Sequence, residues 1–148
     1  MNSKVLLLAI IFLLLPLCTC NSAPGTVTVT RVIDGDTIVI DSGQRVRYIG
    51  IDTPEVYPEL EACGMEAWQA NRGLVEGKEV RLERDVSETD KYGRLLRYVY
   101  VDGVLVNAEL VRLGLAEARG YPPDTKYQDL LEQQEREARQ AGRGMWAK

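Results

Sequence analysis

With 148 residues, 27% of them charged and 45% hydrophobic, the chain suits one domain with one core. Its 18 basic and 22 acidic residues and a pI near 5.0 exclude a general electrostatic glue for nucleic acid, although a local basic pocket with a metal stays open. The lack of histidine excludes imidazole bases, His-ligated zinc and Ser-His triads.

Residues 1–20 read as a signal peptide. Lys4 is followed by an apolar run, 5–17, that carries no charge. The run is shorter than the roughly 20 residues of a spanning helix, and Pro16 interrupts it. Export follows, either secreted or anchored on the outer face of the cell. Leu17-Cys18-Thr19-Cys20 resembles a lipoprotein processing box with Cys20 as the lipidated residue, Thr19 departing from the usual small residue. The other reading is signal-peptidase cleavage around residues 21–23. With cleavage before Cys20, Cys63 would be the only other cysteine, so a disulfide scaffold is not expected. Residues 21–25 form a tether, and 26–148 the domain.

From Thr26 the pattern has period two. Val27, Val29 and Ile33 alternate with Thr28, Thr30 and Val32, Arg31 being the exception; this predicts a half-buried strand. Asp34-Gly35 turns it. Residues 37–40 form a second strand, Asp41-Ser42-Gly43 a turn, and residues 44–51 a third strand. Pro54 and Pro58 open a loop. Helical spacing of Ala67, Trp68, Ala70, Leu74 and Val75 predicts a helix over 61–75, stopped by Gly77. Val80 and Leu82 mark a fourth strand, 87–93 a polar loop, and 95–101 a fifth strand. Asn107 caps a short helix over 108–113. Thr125 with Gln128 makes a capping-box pattern before a last helix, and Trp146 packs back. The chain is thus mainly β (α+β). Five short strands and about three helices suggest a small OB-type β-barrel with the helices packed against it, a fold whose curved face binds oligonucleotides.

Asp36 shares strand parity with Ile38 and Ile40, and Asp52 ends the third strand. If these strands pair, the carboxylates meet at one mouth of the barrel. Two carboxylates, a backbone carbonyl and waters suit a hard cation such as Ca²⁺ or Mg²⁺, while an Asp-Gly-Asp run by itself reads as a turn. Arg47 has the parity of Ile49 and Ile51. A guanidinium placed there needs an anion, either a structural acid or a substrate phosphate. Glu55, three residues beyond Asp52, could activate water beside a bound metal, or be a solvated loop acid. Arg94 follows the Gly93 turn, and with Arg47 it could neutralise a five-coordinate phosphate.

These pieces in order resemble the staphylococcal nuclease-like family, the thermonucleases. The motifs are Ile33-Asp34-Gly35-Asp36-Thr37, Arg47 with Asp52-Thr53-Pro54-Glu55, Gly64-Met65-Glu66-Ala67 and Asp90-Lys91-Tyr92-Gly93-Arg94. Further matches run through Val106-Asn107 and Gly114-Leu115-Ala116 to Trp146, so the likeness covers nearly all of the chain after the leader. The resemblance implies an OB-type barrel with three helices and Ca²⁺ held by Asp36, Asp52 and the carbonyl of Thr53, with Asp34 just outside. It implies Glu55 positioning or activating water, and Arg47 and Arg94 on the scissile phosphate. Lys91 and Tyr92 would lie near a terminal phosphate. The implied reaction is hydrolysis of DNA and RNA to 3′-phosphate ends by a monomer.

Two departures stand out. The family's base-stacking tyrosine pair is reduced to Tyr121 in a loop one residue shorter, and the chain is acidic where the best-known relative is lysine-rich. Fewer phosphate contacts imply weaker, less processive binding. The alternative is a non-catalytic OB-type module that binds nucleic acid or protein at the cell surface. Such copies tend to lose the acids or arginines, whereas Asp36, Arg47, Asp52, Glu55 and Arg94 are all present.

Overall fold

The computed structural model describes residues 25–148; the expected leader, Cys20 and nearly all of the tether lie outside the described residues. The elements run β1 (Thr26–Asp34), β2 (Thr37–Ile40), β3 (Arg45–Tyr48), β4 (Ile51–Asp52), α1 (Gly64–Val75), β5 (Glu79–Glu83) and β6 (Leu95–Val101). Then come β7 (Val104–Leu105), α2 (Val106–Arg112), β8 (Glu117–Ala118), α3 (Gln128–Gln140) and a 3₁₀ turn at Gly144–Trp146.

β1 is long enough to serve two partners. Thr26–Thr28 pairs with β5, and the stretch from Val29 to Asp34 pairs with β2. β2 then pairs with β3, and β5 with β6, all antiparallel. A parallel seam between β3 and β6 closes the ring. The result is a closed mixed barrel of five strands with three helices, the OB-type architecture the strand count predicts. Alternating valines and isoleucines fill it: Val29, Val32, Ile38, Val46, Val80 and Val99 point inward. Val75 of α1, Leu110 of α2 and Leu131 of α3 cover the ends. Full burial of each such side chain contributes about 1.5–3 kcal/mol.

Four details depart from the sequence pattern. β1 carries a bulge, because two residues from Val29 to Arg31 oppose one step from Ile40 to Val39. The bulge shifts the phase, so Val32 rather than Ile33 enters the core and Arg31 turns outward. The expected third strand is split at Gly50, whose φ of 78° breaks the alternation and where a Cβ would stand 2.6 Å from Leu131 Cδ1. Arg47 therefore does not share a face with Ile49 and Ile51; it lies opposite the buried Val46 and Tyr48. The first helix starts at Gly64 rather than residue 61, since Cys63 is left-handed (φ 67°).

The caps differ as well. Asn107 lies inside α2, buried, where its amide accepts from Val99 N and donates to Ile49 O. It ties helix to barrel instead of capping. Thr125 and Gln128 form no capping box: the Gln128 side chain bonds Glu132, and only backbones link the pair. The two-residue strands β4, β7 and β8 are too short to leave a periodic signal.

Candidate active site

Three turns at one mouth of the barrel supply the side chains. In the β1–β2 turn, Asp34 Oδ1 accepts the Asp36 amide at 3.1 Å, an Asx-type contact that fixes the turn. Gly35 lets it lie flat, because a Cβ there would meet the Thr53 side chain at 2.6 Å. Asp36 is consequently only 5% exposed, its Oδ2 accepting the Thr53 amide at 3.1 Å and its Oδ1 the Thr37 hydroxyl at 3.1 Å.

Arg47 brings the acids together. Its Nη1 donates to the carbonyls of Tyr48 and Ile51, each at 2.9 Å. Its Nη2 stands 3.0 Å from Asp36 Oδ2 and 2.9 Å from Asp52 Oδ1. Both terminal nitrogens are thus engaged, and the partner of this guanidinium is a pair of acids. The expected meeting of Asp36 and Asp52 is formed. Thr53 joins them through its amide.

Glu55 lies in the loop after β4, exposed, with its backbone fastened at both ends. Its amide donates to Glu61 Oε2 and its carbonyl accepts the Glu61 amide, both at 2.9 Å. Gly64 packs on that carbonyl, where a Cβ would come within 2.5 Å. The Glu55 carboxyl bears no hydrogen bond among the described residues and lies within the field of Asp36 and Asp52.

The third turn is built by Asp90. Gly93 N bonds Asp90 O at 3.1 Å, closing a turn with Asp first and Gly fourth, and Asp90 Oδ1 accepts the amides of Tyr92 and Arg94. Asp90 Oδ2 takes Arg94 Nε at 2.6 Å. Arg94 is held by one nitrogen, and its two terminal nitrogens have no acceptor among the described residues. Lys91 and Arg94 stand 5.0 and 5.5 Å from the centre of the Tyr92 ring, which is 72% exposed. The parallel seam sets Arg47 opposite Leu96, and Arg47 and Arg94 line one cleft.

Between these turns opens a cleft of about 540 Å³, rimmed by Arg47, Arg94, Lys91, Tyr92 and Tyr121. The structure therefore gathers every expected site residue within residues 25–148 around one mouth and its cleft. Sequence reasoning missed three supports. Asp90 orders the Arg94 turn, and its Asp-x-x-Gly spacing was the available signal. Glu61 clamps Glu55. Arg119 bonds the outer oxygen of Asp52 at 2.7 Å across 67 residues, a contact with no local signal.

Burial raises the Asp36 carboxyl to about 6, with Arg47 opposing and Asp34 adding to the rise. Glu55 is also raised, first by partial desolvation and then by the charges of Asp36 and Asp52. At Asp90 burial works in the same direction, but hydrogen bonds from the Arg94 guanidinium and two amides outweigh it and hold the carboxyl low.

Known proteins share this pattern. The family described as staphylococcal nuclease homologue matches residues 45–148. The chain belongs to the staphylococcal nuclease family. It is 40% identical over 133 residues to a thermonuclease of Staphylococcus hyicus, covering 86% of this chain and 79% of that one. It is 44% identical over 124 residues to a thermonuclease of Staphylococcus intermedius, covering 80% and 74%. Endonuclease YncB of Bacillus subtilis (strain 168) is 44% identical over 130 residues, covering 82% of this chain and 62% of its own length.

Proposed function

We propose that the chain is an exported, Ca²⁺-dependent nuclease that hydrolyses phosphodiester bonds of DNA and RNA to 3′-phosphate ends. That it is a hydrolytic nuclease is supported by its family and by relatives named thermonuclease and endonuclease. The observation that carries the finer reading is the convergence of Asp36, Asp52 and Arg47 at a mouth that opens into a cleft with Arg94.

The donors fit a hard cation. Among the described residues no three His, Cys, Asp or Glu side chains gather to hold a metal by themselves. Two carboxylates with the Thr53 carbonyl, the rest of the shell left to water, match Ca²⁺ chemistry better than a thiolate or imidazole metal. The buried Asp36 carboxyl, raised by desolvation, lacks full compensation from Arg47 alone. When bound, the ion supplies positive charge to a phosphoryl oxygen and to the attacking water.

The chain's own groups do the rest. Glu55, whose carboxyl is free of hydrogen bonds among the described residues, orients water and takes its proton as the oxygen attacks phosphorus. Arg94, anchored through Nε, directs its free terminal nitrogens to the phosphate. Arg47 offers Nε, and Nη2 competes with the ion for the oxygens of Asp36 and Asp52. The P–O bond to the 5′ oxygen breaks, and the phosphate stays on the 3′ side. Tyr121, with Lys91 and Tyr92, lines the space for a base and a terminal phosphate.

Export rests on the apolar run 5–17, and attachment through Cys20 on the lipoprotein-like box. A monomer suffices, since all proposed groups come from one chain. The test is digestion of single-stranded DNA and of RNA by the purified protein, with Ca²⁺ and then with chelator. Cleavage that needs Ca²⁺ and leaves 3′-phosphates is expected. A folded sample that cuts neither polymer would point to the non-catalytic binding module.

A further inference from the structure

Away from the mouth, the outer face of β1–β3 carries two arginines that form no ion pair among the described residues. Registers Arg31 to Val39 and Val39 to Arg45 set them on one row across three strands, about 10 Å apart at two strand spacings. The β1 bulge is what turns Arg31 onto this row. Both are exposed, and neither has an acidic partner among the described residues. Elsewhere arginine is usually matched: Arg72, Arg84, Arg97, Arg112 and Arg139 all hold acids. In a chain of net charge −4, two unpaired guanidiniums on one row form an isolated basic patch.

The patch is joined to the site. One groove, of about 310 Å³, is lined by Arg31, Ile33 and Arg45. The next, of about 250 Å³, is lined by Ile33, Asp34, Thr37, Arg45, Tyr57 and Arg94, the Asp34 carboxylate being turned to the Asp36 amide. Arg94 also rims the main cleft. A continuous path thus runs from Arg31 past Arg45 to Arg94 and on to Tyr121. Tyr57, 83% exposed on its wall, offers a bare aromatic face.

We propose that this path is a second substrate-binding track, where Arg31 and Arg45 take backbone phosphates of a single-stranded polynucleotide and Tyr57 stacks a base. It extends the cleft on the side of Arg94 away from Tyr121, and it rests on the nuclease reading. Guanidiniums that form no ion pair with an acid, next to an exposed ring, are the elements of sequence-tolerant strand binding. The track makes the enzyme prefer chains longer than the catalytic cleft alone can hold.

The experiment compares wild type with R31A/R45A and with Tyr57→Ala. Cleavage is measured on an oligonucleotide of about a dozen residues and on a dinucleotide. Binding of the labelled oligonucleotide is followed by anisotropy in chelator across a salt series. For R31A/R45A, KM on the long substrate should rise several-fold, with kcat and the dinucleotide unchanged. The slope of log affinity against log salt should fall by about 1.4, at roughly 0.7 per phosphate. Tyr57→Ala should weaken long-chain binding without changing that slope. An unchanged slope and KM in R31A/R45A, or an equal loss on both substrates, would overturn the track. Wild type that cuts neither substrate would sink the nuclease reading, while the anisotropy would still decide the track.

Discussion

The barrel carries two clusters of half-buried acids, and they behave in opposite ways. At the mouth, Asp36 and Glu55 are raised above their ordinary range, chiefly by burial and then by neighbouring acids, Asp34 for Asp36 and Asp36 with Asp52 for Glu55. Under the last helix, Glu83 and Asp124 also feel burial, yet end up lowered. There hydrogen-bond donors outweigh burial. Glu83 takes Lys126 Nζ at 2.6 Å and the Tyr127 hydroxyl at 2.9 Å, while Asp124 Oδ1 takes the amides of Val86 and Ser87 at 2.9 and 2.8 Å. Asp85 joins in, bonding the Tyr98 hydroxyl and the Lys126 amide. One cluster is over-supplied with donors and clasps α3 to the barrel. In the other, the donors to Asp36 do not offset its burial, and the Glu55 carboxyl accepts no hydrogen bond among the described residues.

The sharpest way to break this contrast is to exchange residues at the mouth. Glu55→Gln and Arg94→Ala should each lower turnover about a hundredfold or more, with melting temperature nearly unchanged. Near wild-type rates in either variant would remove that residue from the mechanism.

Cation binding gives the next largest effect. Calcium at about a hundred times its Kd should stabilise the wild type by about 2.7 kcal/mol. Asp36→Asn should lose most of that gain. Calorimetric unfolding with and without the ion reads this directly, and equal gains in both proteins would place the ion elsewhere.

The clasp should show the reverse pattern. Asp124→Ala leaves two amides short of an acceptor and should cost about 1–3 kcal/mol, with kcat preserved. The pH dependence follows from the lowered carboxyl. Its stabilisation is present above the ordinary value of 3.8 and is lost as pH falls through the lower folded value. Asp124→Asn should therefore flatten the acid limb of stability below pH 3.8. An acid limb as steep as that of wild type would mean that other acids govern it.

Much of this was legible in the chain. Period-two runs of Val and Ile located the barrel strands, and turn residues beside Asp36, Asp52 and Arg94 marked the mouth. What escaped were effects of distance and phase. The β1 bulge shifts that strand's phase by one residue and β3 ends at Tyr48, before Ile49, so parity misassigned Ile33 and the face of Arg47. Asn107 looked like a cap because its type suits one, but its amide is spent on Val99 and Ile49. Arg119 reaches Asp52 only through the β4–β8 pairing, too short to read.

The parallel seam between β3 and β6 has one more consequence. Arg47 and Arg94 become neighbours only when the ring shuts, and the seam joins stretches almost fifty residues apart in sequence. Such non-local pairings are the costly, late contacts of folding. A nascent chain that has emerged only as far as β5 holds both acids and one guanidinium, but has no second one to place across from it. The cleft that both arginines line is therefore complete only once β6 has closed the ring.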